Sequence, residues 1–133
     1  MERKYNDSTD LRPKGRRLID APLVSIDIPE FIKQLKSEVT WQNSDRNAIT
    51  VFKTNGLRIV LIALHKEAVM QEHATDGIIS VQVLEGEINF SIANESKLLR
   101  KGEMIALHEG LDHSVKAIKE SVFLLTLTTS LEE

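Results

Sequence analysis

"HATDGIISVQVLEGEINF", residues 73–90, places two apolar runs on either side of Leu84-Glu85-Gly86-Glu87, and its reading decides the fold. In the first run Ile79, Val81 and Val83 alternate with Ser80 and Gln82, the period-two pattern of a strand that buries one face. A glycine-centred turn then reverses the chain into Glu87-Ile88-Asn89-Phe90, which alternates again. The stretch predicts a β-hairpin, with His73 ahead of it.

Outward from this hairpin the same punctuation recurs. Short β-type runs fall at 48–53, 57–65, 69–74, 77–84, 87–93, 103–107, 113–118 and 122–128, separated by turn residues. Asn55-Gly56 is the dipeptide a type I′ turn needs, because both positions require positive φ. Gly86, Ala93-Asn94-Glu95-Ser96 and Gly102 mark further turns. Eight short strands with close turns predict an all-β domain, one closed antiparallel barrel or double-sheet sandwich over residues 47–128.

Ahead of the strands, "IDIPEFIKQLKSE" reads as a helix over 28–38. Asp27 can cap it, Pro29 sits in its first turn and Glu30 follows the cap by three residues. Ile28, Phe31, Ile32 and Leu35 then share one apolar face, leaving Lys33 and Lys36 for water. Residues 1–26 form a basic N-terminal arm and extended segment, and residues 27–133 form the barrel domain with its leading helix. Residues 1–17 carry six Lys/Arg against three acids, and "RPKGRR" (12–17) is a cluster suited to an anion or a partner. The same composition also suits a frayed, solvated arm, which is the expectation here.

Composition narrows the function classes. A chain of 133 residues is about one domain's worth. Its net charge of -3 and 5% aromatic content argue against a broad electrostatic or stacking grip on nucleic acid. Without cysteine there are no thiolate sites, so the four histidines are the only soft metal ligands. The longest aliphatic run, residues 59–64, is far too short to span a bilayer as a helix. The expectation is a cytoplasmic protein with no membrane or nucleic-acid partner.

Over residues 56–127 the sequence resembles the small single-domain cupins of the RmlC-like superfamily, whose fold is a jelly-roll barrel, a double-stranded β-helix. Their first motif, G-x5-H-x-H-x3–4-E-x6-G, aligned on Gly86, puts its first histidine on His73. Its second histidine falls on Thr75, its glutamate on Ile79 and its opening glycine on Glu67. The second motif, G-x5-P-x-G-x2-H-x3-N, matches Gly102, Gly110 and His113, while His108 replaces the proline and Ala117 the asparagine.

In metal-binding cupins three imidazoles and a carboxylate converge inside the barrel on divalent iron, manganese, zinc or nickel. Here the resemblance leaves His73 and His113 as the metal candidates. Gln71, His73, Thr75, Ile79 and His113 are the candidate lining of a ligand pocket, with Gln71, His73 and Thr75 on one strand face. Glu72, Asp76, Asp112, His65 and His108 are candidate helpers. Two imidazoles and a hydroxyl supply no anionic charge, so the expectation is a degenerate metal site and no tightly held cofactor. His73 and His113 would then line a polar spot in a ligand cavity or hydrogen-bond to each other through water.

The functional expectation is a small cupin-like protein that binds a small organic ligand or acts in regulation. The alternative is a metal-dependent cupin enzyme of the isomerase, dioxygenase or lyase type. A homodimer is expected, because small cupins commonly pair and because "IVLIAL" (59–64) and "FLLTLT" (123–128) carry more apolar surface than one barrel interior needs.

Overall fold

The computed structural model describes residues 1–129, so the last four residues of the expected 27–133 domain lie outside the described residues. A ribbon of β1 (Lys4–Asn6) and β2 (Arg17–Asp20) leads to α1 (Ile28–Ser37) and α2 (Val39–Asn43). Then come β3 (Arg46–Thr54), β4 (Leu57–Leu64), β5 (Val69–Glu72), β6 (Ile79–Glu85), β7 (Glu87–Ile92), β8 (Glu95–Arg100), β9 (Met104–Leu107), β10 (His113–Ala117) and β11 (Ser121–Thr128).

Every strand pairing is antiparallel. Beside the β1–β2 ribbon, the strands form a four-stranded sheet in the order β5-β10-β7-β8 and a five-stranded sheet in the order β3-β4-β11-β6-β9. The two sheets enclose one apolar layer, the jelly-roll interior. Ile79, Val81 and Val83 of β6, Phe123 of β11 and Ile62 of β4 meet Ile88 and Phe90 of β7 and Val115 of β10 there. Residues of odd number on β6 point in, as the alternation in the 73–90 stretch predicts.

A second apolar layer lies on the other face of the five-stranded sheet. Leu35 of α1 and Trp41 of α2 pack there on Ile49, Val51, Leu61, Ala63 and Val122. This layer explains why β4 and β11 read as continuous apolar runs, since both of their faces are buried within one chain. Each fully buried aliphatic side chain, such as Leu35 or Leu61, contributes about 2 kcal/mol. The apolar surplus that motivates an expected homodimer is thus covered by α1 and α2.

α1 begins as its sequence predicts, with the Asp27 carboxylate accepting from the Glu30 amide at 3.2 Å. It ends at Ser37, because Glu38 is extended. Lys36 is not left to water. Its ammonium is 2.9 Å from Glu85 and 3.2 Å from Glu120, fastening the helix end to the barrel.

Gly86, in the turn between β6 and β7, has φ +82°. A Cβ there would run into the Glu120 carbonyl and Ser121, so the turn of the opening stretch accepts only glycine. Gly56, Gly102 and Gly110 also have positive φ. So does Glu67, at 74°, the position where the cupin motif opens with glycine.

The arm is not frayed. Arg12 donates from Nε and Nη2 to the Glu38 carboxylate at 2.9–3.1 Å and from Nη2 to the Ala48 carbonyl at 2.7 Å. Arg17 donates to the carbonyls of Thr50 and Gly15 at 2.8 and 2.9 Å. Arm, α1 and β3 are tied by these bonds. The Glu38 carboxylate also accepts from Asn47 and Gln34. Burial alone would raise its pKa, but these hydrogen bonds and the Arg12 charge outweigh burial and hold it below the ordinary carboxylate value.

Candidate functional site

The end of the four-stranded sheet carries a cleft of about 250 Å³ where β5, β7 and β10 run out. Gln71, His73 and His113 line it, together with Glu72, Asp112 and Ser114. Thr75 and Ile79 stand elsewhere. The Thr75 hydroxyl is turned onto the Gly77 carbonyl at 2.9 Å, and Ile79 is sealed in the interior layer at 2% exposure.

Strand register decides which of these side chains look inward. His113 pairs with Glu72, Ser114 with Gln71 and Val115 with Met70. Directly opposed residues of an antiparallel pair project from the same face of the sheet. Val115 belongs to the interior layer and Met70 packs against it, so His113 and Glu72 are the inward pair at the cleft end. Gln71 shares the outer face with Ser114 and Ser91. β5 stops at Glu72, so His73 and Thr75 fall in the following loop and the strand parity drawn through them does not hold.

That loop is held by its neighbour. The Ala74 amide donates to the Asp112 carboxylate at 2.6 Å, and the Gly110 amide donates to the Thr75 carbonyl at 2.9 Å. Gly77 lies against β11 so closely that a Cβ would collide with the Thr128 carbonyl. Asp112 is therefore a clamp as well as a lining residue.

His113 is the buried member of the histidine set, 8% exposed, and its ring stacks on Phe90 with centroids 5.5 Å apart and planes 16° from parallel. Its Nδ1 lies 3.2 Å from the Leu111 carbonyl. A carbonyl only accepts, so Nδ1 carries the proton, and in the neutral ring Nε2 is left with a lone pair. Among the described residues no buried side-chain nitrogen or oxygen lacks a partner. Nε2, which has no protein partner, must therefore reach solvent, and the cleft is what His113 lines. By contrast His73 is exposed.

His65 and His108 do not join them. His65 stacks on Trp41 at 3.5 Å between centroids, with Nε2 on the Trp41 carbonyl at 2.8 Å. His108 is solvent-exposed beside Glu109, its side chain 85% accessible. Among the described residues no three His, Asp or Glu side chains are grouped so as to hold a metal ion. With Ile79 in place of a carboxylate and the Thr75 hydroxyl committed to Gly77, two of the four ligand positions of the cupin motif offer no donor to the cleft. Signals for the missed lining residues, Ser91, Ile92 and Ser114, are weak in the sequence, because serine or isoleucine on a strand is commonplace.

The backbone superposes on solved cupins. One is a cupin-2 domain containing protein from Shewanella frigidimarina, with TM-score 0.63 and 16% identity over 78% of this chain and 94% of that one. Another is an RmlC-like cupin from Desulfovibrio desulfuricans, with TM-score 0.58 and 20% identity over 62% and 81%. The fold is that of a cupin. The same barrel superposes on an HTH_3 family transcriptional regulator from Vibrio cholerae, with TM-score 0.61 and 21% identity over 77% of this chain and 60% of the regulator. No family model matches the sequence, and no curated protein matches it. Among the described residues no helix is long and apolar enough to cross a membrane.

Proposed function

We propose that this cupin is a binding domain for a small polar organic ligand, held at the cleft between His113 and the loop after β5, without a resident metal. The observation that carries the reading is the setting of His113: a residue of the cleft lining, its ring is fixed by Phe90 and by the Leu111 carbonyl, which in the neutral ring leaves Nε2 as an acceptor with no protein partner. Glu72 and Asp112 add two carboxylates to the same lining. A site rich in acceptors favours ligands that bring N–H or O–H donors or a positive charge, such as amines and polyols.

The test is a thermal-shift titration with three ligand sets, amines, neutral polyols and carboxylates, on wild type and Glu72→Gln. Amines or polyols are expected to raise Tm, and Glu72→Gln is expected to weaken the amine response. The reading fails if no donor-bearing ligand gives a shift that the substitution reduces.

A regulatory use of such binding is the second reading, favoured by the superposition on an HTH_3 family transcriptional regulator. In the metal-dependent enzyme alternative, elemental analysis of protein purified without chelator would find a stoichiometric divalent ion. A homodimer is part of the proposal on different grounds from apolar surplus: edge strands β8 and β9 present exposed Leu98 and Met104. Light scattering at micromolar concentration tests it, and a monomer mass would remove it.

A further inference from the structure

The basic cluster at 12–17 takes no part in the cleft at the barrel end. It folds over the helical side, where Arg12 and Arg17 line a second cleft of about 530 Å³ with Asn6, Thr9 and Thr40. Both guanidinium groups are anchored by hydrogen bonds to the protein. Arg12 is engaged through Nε and Nη2, and Arg17 through Nε and Nη1. Each arginine has a further N–H-bearing nitrogen, Nη1 of Arg12 and Nη2 of Arg17, outside those bonds.

Charge is unbalanced at this place. The Glu38 carboxylate is committed to Arg12, and Asp7, on the cleft rim, pairs with Arg16 at 3.3 Å in an exposed contact. Among the described residues no ion pair with a carboxylate is formed by Arg17. Burial first and the Arg12 charge second pull Arg17 below its ordinary pKa, against the opposing charge of Glu38. Two like charges held together in a partly desolvated place are stabilised by an anion set between them.

We propose that this cleft binds a small organic anion, its carboxylate or phosphate group received by Arg12 and Arg17. The planar guanidinium fork matches both oxyanions, and the hydroxyls of Thr9 and Thr40 offer further donors beside it. Because the arginines are already held by carbonyls and by Glu38, little side-chain freedom is lost on binding. The space exceeds what a bare ion fills, which is why the ligand class is organic.

Calorimetric titration of the intact chain with inorganic phosphate and with acetate, against chloride at equal ionic strength, tests the site and separates the two headgroups. Saturable binding of at least one oxyanion over chloride is expected. Arg17→Gln should weaken it by about tenfold or more, the loss of one charge-assisted contact. Asp7→Asn should tighten it about twofold by removing the competing carboxylate, at a position too exposed to disturb folding. Glu72→Gln, in the other cleft, should leave it unchanged. Absence of oxyanion-specific binding, retention of affinity in Arg17→Gln, or loss of affinity in Glu72→Gln would each overturn the proposal. Should Arg17→Gln fail to fold, an unchanged affinity in Asp7→Asn overturns it instead.

Discussion

His113 stands directly opposite Glu72 across the β5–β10 pair, and His73 lies one residue past the end of that pairing. The two histidines that the motif spacing couples therefore differ in kind. One is part of the folded interior of the sheet end, and the other belongs to a loop.

Their substitutions should separate accordingly. His113→Ala removes a stacked ring and a hydrogen bond from a buried place, with an expected loss of about 1–2 kcal/mol. His73→Ala, at an exposed position, should stay within about 0.5 kcal/mol of wild type. Urea unfolding of both variants measures the difference, and equal losses would contradict the register-based assignment.

Ile79→Glu restores the carboxylate of the cupin motif but buries it in an aliphatic layer. A loss of about 3 kcal/mol or more is expected, since an unpaired charge replaces a packed side chain. Thr75→His added to it would restore four donors. If the loop after β5 brings residues 73 and 75 toward His113, excess zinc will raise the Tm of the double variant; in wild type zinc should leave Tm unchanged. A large zinc-induced rise in wild type would refute the degenerate-site reading.

Glu67 pays for its left-handed backbone with steric strain that glycine would avoid. Its side chain contributes only an exposed contact to Lys116, at 3.6 Å, so little is lost on removing it. Glu67→Gly should stabilise the fold by about 0.5–1 kcal/mol, the relief of strain being partly offset by a freer unfolded chain. Thermal denaturation decides it, and a lower Tm would show that the side chain matters more than the dihedral angle.

The Glu38 network predicts an acid-sensitive junction between arm and barrel. The folded-state pKa of Glu38 is lowered, so its contribution is fully present above the ordinary carboxylate value near 4.5 and is lost as pH falls through the lower folded value. Glu38→Gln should cost about 2 kcal/mol at neutral pH, because Arg12 keeps a partly buried charge with no carboxylate opposite it. The same variant should flatten the acid limb of a stability–pH curve, and an unaltered acid limb would assign the sensitivity to other carboxylates.

The barrel is legible in the sequence wherever one face of a strand is buried and the other is wet. β6 and β7 show this alternation, and the turn glycines set their ends. β8 is not among the expected strands, and only its first two residues, Glu95 and Ser96, fall in an expected turn; Leu99 is its single buried residue, and Glu95, Ser96, Lys97 and Leu98 give no period to detect. α2 has five residues and makes its burial through Trp41 alone, too little for a helical repeat to register. In β5, Val69 and Met70 are both apolar, so the local pattern does not say which is inward, and only pairing with β10 settles it. The ordered arm is hidden for a different reason: Arg12 and Arg17 are fixed by distant acceptors on Glu38, Ala48 and Thr50, which no local pattern encodes.

The helices back only one of the two sheets. β4 and β11 lie between two apolar layers, whereas β5, β7, β8 and β10 have the interior on one side and water on the other. Amide protons of the helix-backed sheet should exchange with solvent only when the whole domain opens, while those of β5 and β8 should exchange through smaller, more frequent openings. The cleft thus sits on the softer half of the molecule. A ligand bound there could slow exchange across that half, making it resemble the rigid one, with no change in the average structure.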